Sequence, residues 1–130
     1  MAGSSGRLAA NYCEYSEHVS ITTHVLDTSL GRPAAAVQVT LECQTRDGEW
    51  RVVGSGETDS DGRLKTLVPD GGAGAGIHRL IFDTKQYFDR RGVAAFYPTV
   101  VVVFEVQAGA GHYHVPLLLS PFGYSTYRGS

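Results

Sequence analysis

His112-Tyr113-His114 is the tripeptide in this chain best suited to chemistry. In an extended strand, residues two apart face the same side at about 7 Å, so both imidazoles look one way. With a third ligand from elsewhere, such a pair holds a metal ion. Alternatively, one neutral imidazole serves as a general base, since histidine's ordinary pKa of about 6.5 lies close to working pH. The third reading is an ordinary packed or exposed pair. His24 stands at the end of an alternating stretch near Asp27, and Arg63 directly follows an Asp61-Gly62 turn. An arginine aimed into a cleft is a permanent bidentate donor for a flat, oxygen-rich ligand. The segment Pro121–Ser130 is aromatic and turn-rich, whereas a frayed tail is small and polar. It is expected to dock against the rest of the domain.

These groups need a frame, and the dominant period of the chain is two. Val19, Ile21, Thr23 and Val25 alternate with Ser20, Thr22 and His24, and Val37, Val39 and Leu41 alternate with Gln38, Thr40 and Glu42. Both stretches read as half-buried strands. Asp47-Gly48 signals a hairpin leading into Trp50–Val53, and Asp59–Gly62 a sharp turn before Arg63–Leu67. Ile77–Phe82, Thr99–Val106 and His112–Leu119 are further strands, with His78, Leu80 and Phe82 sharing one face. Thr84–Arg91, closed by Gly92, is the plausible helix. The run Asp70–Gly76 reads as a loose glycine-rich loop. About seven or eight short strands with one short helix predict an all-β sandwich, over residues 19–130, preceded by a flexible N-terminal arm over residues 1–18.

Composition removes several function classes. The chain has 130 residues, 42% of them hydrophobic and 18% charged, which suits a single globular domain. A formal charge of −2 offers no basic field for a phosphate backbone, so no nucleic-acid partner is expected. Apolar runs such as Val100–Phe104 fall far short of the roughly 20 residues a membrane span needs, so no membrane partner is expected either. The glycine run at 71–76 lacks the lysine of a phosphate loop, and Asp59-Ser60-Asp61-Gly62 lacks the later ligands of a calcium loop. Cys13 and Cys43 show no metal or redox spacing and are expected as two ordinary thiols. The N-terminus lacks a secretory apolar stretch and the C-terminus is not of the Ser-Lys-Leu type. The expected compartment is the cytoplasm, with the peroxisome as the alternative in a eukaryote.

Three separated motifs, in order, carry a resemblance. Ile21-Thr22-Thr23-His24-Val25-Leu26-Asp27-Thr28 with Gly31-Arg32-Pro33-Ala34, then Thr58–Arg63, then His112–Pro121 running into Tyr127-Arg128-Gly129-Ser130, resemble the signatures of the transthyretin-like 5-hydroxyisourate hydrolases. The resemblance extends from about Val19 to Ser130. It implies a transthyretin-type sandwich assembled as a homotetramer, a dimer of dimers with active sites in the channel between dimers. The implied reaction is hydrolytic ring opening of 5-hydroxyisourate, the product of urate oxidation, to 2-oxo-4-hydroxy-4-carboxy-5-ureidoimidazoline on the route to allantoin. The family uses no metal or organic cofactor. Carried over by motif, His24, Arg63 and His114 are the implied catalytic set and Tyr127, Arg128 and Ser130 the implied substrate contacts, with His112 in support. The rival within the same fold is a carrier that holds a small aromatic ligand without catalysis. The Tyr-Arg-Gly-Ser terminus speaks for the hydrolase.

Overall fold

The structure, a computed structural model, describes Cys13 and residues 19–69, 72–109 and 111–130. Apart from Cys13, the arm expected over residues 1–18 lies outside the described residues. The elements are β1 (Ser20–Asp27), β2 (Arg32–Pro33), β3 (Gln38–Gln44), β4 (Trp50–Glu57), β5 (Arg63–Leu64), β6 (Gly76–Phe82), α1 (Thr84–Arg90), β7 (Val100–Val106), β8 (His112–Ser120) and β9 (Gly123–Thr126). Among the described residues this is the all-β sandwich with one short helix that the alternation predicts. Two strands exceed the expectation. Arg32–Pro33 is too short to show a period, and the aromatic tail docks by forming β9 against β8.

Two sheets carry the architecture, one ordered β2-β1-β8-β9 with β5 also on β1, the other β4-β3-β6-β7. The core lies between them because the period of two sends alternate side chains inward. Val19, Ile21 and Val25 meet Val39, Leu41, Leu80 and Phe82, with Val115, Leu117 and Leu119 from β8, all buried. β1 and β8 run parallel, in the register Ser20↔His112, Thr22↔His114, His24↔Pro116. β5 lies on the other side of β1 and pairs His24 with Arg63. The outward residues of β5, β1 and β8 therefore share one face, and they include His24, Arg63, His112 and His114.

A buried carboxylate ties this sheet to the helix. Asp27, at the end of β1, is fully buried. One oxygen accepts from the backbone N–H and hydroxyl of Ser29 and the N–H of Leu30. The other accepts from Tyr87 of α1 at 2.7 Å and from Arg91 at 2.9 Å. Burial pushes its pKa up, but the Ser29 and Tyr87 hydrogen bonds and the Arg91 charge outweigh it and hold the carboxyl below its usual value. Burial and the Asp27 carboxylate push the Tyr87 phenol up to about 12. Asp27→Ala leaves a hydroxyl and a partly buried guanidinium without partners. The expected cost is about 3 kcal/mol, a fall in Tm of roughly 10 °C by calorimetry. Since the folded carboxyl is depressed, its contribution is complete above the unfolded pKa of about 3.9 and fades as pH falls through the lower folded value.

The cysteines correct an expectation. Cys13 and Cys43 are not two thiols but a disulfide, with Cα atoms 5.7 Å apart. Cys43 lies on the inward side of β3, directly across from His78 on β6. Sequence spacing alone cannot show that this position meets Cys13. Closing a separation of 30 residues stabilises the fold by about 3–4 kcal/mol on the loop-entropy account. The glycine-rich run is also tighter than expected where it is described. Ala73 and Ala75 are buried, and the Ala73 N–H donates to the Val19 carbonyl.

Candidate functional site

The Asp59–Arg63 turn fixes the arginine before its side chain is considered. One oxygen of the Asp59 carboxylate accepts from the backbone N–H groups of Asp61 and Arg63, both at 2.9 Å. The Arg63 N–H, followed by that of Asp61, holds the carboxyl of Asp59 below its usual range. Gly62 has φ +77°, and a Cβ there would lie 2.4 Å from the Val25 carbonyl oxygen, so glycine is required. The Gly62 carbonyl in turn accepts from Val25 N–H. This seats Arg63 beside His24, whose Nε2 lies 2.8 Å from the Asp61 carbonyl. A carbonyl only accepts, so Nε2 carries the proton and a neutral His24 presents its lone pair on Nδ1.

β8 supplies the other imidazoles. The rings of His112 and His114 stack at 6.5 Å between centroids and 12° between planes. Each is held at Nδ1 by the hydroxyl of its partner on β1, Ser20 for His112 at 2.5 Å and Thr22 for His114 at 2.8 Å. Burial, then the positive field of Arg63, His112 and His24, holds the His114 pKa below the ordinary 6.5. Each of these favours the neutral imidazole. Among the described residues no group of three or more His, Cys, Asp or Glu side chains is arranged to hold a metal.

Pro116 explains how the tail reaches this face. Its carbonyl points toward β9 and accepts from the Thr126 hydroxyl, but it has no N–H to continue the ladder. β9 stops at Thr126, and the chain rejoins β8 at Gly129, whose N–H donates to the His114 carbonyl at 2.8 Å. A Cβ on Gly129 would come within 2.7 Å of the His114 Cδ2, so only glycine lets the tail close against that ring. Ser130 then lines a cavity of about 260 Å³ together with Thr22, Thr23, Arg63, Lys65, His112 and His114.

Of the residues singled out from sequence, Arg63, His114, Ser130 and His112 thus share one cavity. His24 lies on the same sheet face but is not among the residues lining it. Tyr127 and Arg128 are elsewhere in the protomer. Tyr127 is 56% exposed, and the Arg128 guanidinium lies 4.4 Å from the ring centroid of Tyr113, which faces away from His112 and His114. Both border a second groove with Val102, Val103 and Phe104. Lys65 and Thr22 stand outside the set expected from sequence. The signal for both was available, since Lys65 is two residues beyond Arg63 and Thr22 two before His24, the spacing that puts strand neighbours on one face.

Residues 21–129 match the model of the HIUase/Transthyretin family. The chain belongs to that family. It is 47% identical over 110 residues to the 5-hydroxyisourate hydrolase of Salmonella typhimurium, an alignment covering 85% of this chain and 80% of that protein. Among solved structures, sea bream transthyretin in complex with thyroxine superposes with a TM-score of 0.79 at 35% identity, covering 84% of this chain and 93% of that one. The 5-hydroxyisourate hydrolase of Klebsiella pneumoniae gives 0.74 at 35% identity, covering 86% and 99%. The family therefore holds both an enzyme and a protein seen with a bound hormone, and the fold alone does not choose between them.

Proposed function

We propose that this chain is a 5-hydroxyisourate hydrolase, opening the ring to 2-oxo-4-hydroxy-4-carboxy-5-ureidoimidazoline in urate degradation. The observation that carries this reading is an imidazole, His114, lining one cavity on a sheet face with a permanent cation, Arg63, and surrounded by groups that disfavour its charged form. A carrier needs neither. Relatives named as hydrolases in bacteria and in the mouse, the latter 41% identical over 119 residues, support the same reading.

The side chains suit the reaction. His114 takes a proton from water at Nε2 as the oxygen attacks the ring carbonyl. Arg63 stabilises the oxyanion and clamps the substrate oxygens, with the Lys65 ammonium adding positive charge on the same wall. The ring C–N bond then breaks as the His114 imidazolium gives its proton to the leaving nitrogen, and the new carboxylic acid ionises, releasing its proton to water. His24, whose Nδ1 has no hydrogen-bond partner among the described residues, is the second imidazole of the set, and Ser130 a substrate contact. We place the reaction in a homotetramer, a dimer of dimers. Supporting this are two edge strands, β7 and β9, and the exposed apolar side chains of Phe96, Val101, Val103 and Phe122. Tyr127 and Arg128 remain substrate contacts only if assembly brings them to a neighbouring cavity. No helix among the described residues is long and apolar enough to cross a membrane. The Cys13–Cys43 disulfide favours an oxidising compartment over the cytoplasm expected from the sequence, because disulfides persist mainly where surroundings are oxidising.

The test is turnover. 5-Hydroxyisourate generated with urate oxidase is expected to lose its ultraviolet absorbance much faster when the protein is added, while thyroxine binds weakly or not at all. Tight thyroxine binding without turnover would favour the carrier. The pH profile carries a sign. With His114 as base, kcat/KM is expected to fall as pH drops, with the midpoint of that limb below 6.5 because burial, then the charges of Arg63, His112 and His24, disfavour the imidazolium. A profile with no acid limb at any pH where the protein stays folded would remove the histidine base.

A further inference from the structure

We propose that Thr22 is a positioning residue for this reaction, holding His114 in the tautomer that leaves Nε2 free to accept a proton; this rests on the hydrolase reading above. The Thr22 hydroxyl lies 2.8 Å from His114 Nδ1, and the parallel register sets the two residues directly opposite each other. Thr22 is β-branched, with few χ1 choices, so a strand fixed in register also fixes its oxygen. Its neighbour Thr23 points the other way and donates to the Val115 carbonyl, which locks the same stretch of β1 to β8 from the buried side. Gly129 abuts the Cδ2 edge of the ring, leaving little room for the imidazole to turn over.

The consequence is chemical. Neutral imidazole in water prefers its proton on Nε2, which is the wrong tautomer for a base acting through that nitrogen. With Nδ1–H donated to the Thr22 oxygen, the lone pair sits on Nε2. When Nε2 takes a proton the Nδ1–H bond to Thr22 is kept and strengthened, since hydrogen bonds from a charged donor are the stronger ones. The ring changes charge without reorganising. The groups facing it are Arg63 from β5, His24 from β1 and His112 from β8, all of which disfavour the cation, with Lys65 on the same cavity wall. The Thr22 oxygen is the acceptor that works against them. Ser20 repeats the arrangement for His112 one step along the same two strands.

Thr22→Val keeps the shape and deletes the acceptor, and Thr22→Ser keeps the acceptor. For Thr22→Val, kcat is expected to fall about 10-fold with KM within about 3-fold. The acid limb of kcat/KM should move to lower pH, because the imidazolium loses a hydrogen bond. Thr22→Ser should restore both. A purely structural role would not move the limb. Nitrogen-15 spectra of the imidazoles decide the matter independently of turnover. The wild type should show His114 with its proton on Nδ1, and Thr22→Val should shift it toward Nε2. An unchanged tautomer in Thr22→Val would overturn the proposal whatever the activity. If the wild type is inert toward 5-hydroxyisourate but the tautomer shifts as stated, the reaction is wrong and the positioning stands.

Discussion

His114→Asn is expected to lower kcat for 5-hydroxyisourate by roughly 10²–10⁴-fold, the range that a positioned proton acceptor supplies. Asparagine is the informative replacement because its amide nitrogen can still reach the Thr22 oxygen while nothing replaces Nε2. KM should change little, since Arg63, Lys65 and Ser130 still line the cavity. The acid limb of the pH profile should vanish together with the rate. His112→Asn is the control, with an expected effect within a few-fold, because that more exposed ring is in support. Steady-state kinetics on the two variants separates the roles. Equal losses from both would mean that His114 has no special part.

Arg63→Ala carries the second large effect, an expected loss of about 10²–10³-fold in kcat/KM, the scale for removing one oxyanion-stabilising group. The backbone of the turn should survive, because Asp59 bonds the residue 63 N–H rather than its side chain. Arg63→Lys retains the charge but not the planar fork and should recover only part of the activity. The substitution also has an effect on His114. The Arg63 cation helps depress the imidazole pKa, so its removal raises that pKa and moves the acid limb of the residual activity to higher pH. This direction is opposite to that expected for Thr22→Val. The pair of variants thus tests charge and hydrogen bonding on the same ring with opposite signs.

The legible part of this molecule was the part governed by local rules. Alternation in Ser20–Val25 and His112–Leu119 marks both strands and their outward faces, and the Asp59–Gly62 turn declares itself by residue type. The strands on one sheet needed the family resemblance to be brought together, since no local pattern announces a parallel pairing between residues about 90 apart. The placement of Arg128 over Tyr113 follows from the tail leaving the β8 edge after Thr126, opposite Pro116, and returning to it at Gly129, a detour visible only in three dimensions. The disulfide was missed for a related reason. Two cysteines give one pairing, but whether they meet depends on where the inward side of β3 ends. Thr22 was overlooked because a threonine in a β-branched run reads first as strand propensity, and its hydroxyl gains meaning only once His114 lies alongside.

The central claim is that the ring is opened on the outward face of β5, β1 and β8, between Arg63 and His114. A crystal of the protein soaked with urate, the stable parent ring of the substrate, tests it most directly. A flat ligand is expected in the cavity with an oxygen in hydrogen-bond reach of the Arg63 guanidinium and an edge toward His114. Urate seated in the Tyr127–Arg128 groove, with that cavity filled only by water, would contradict it.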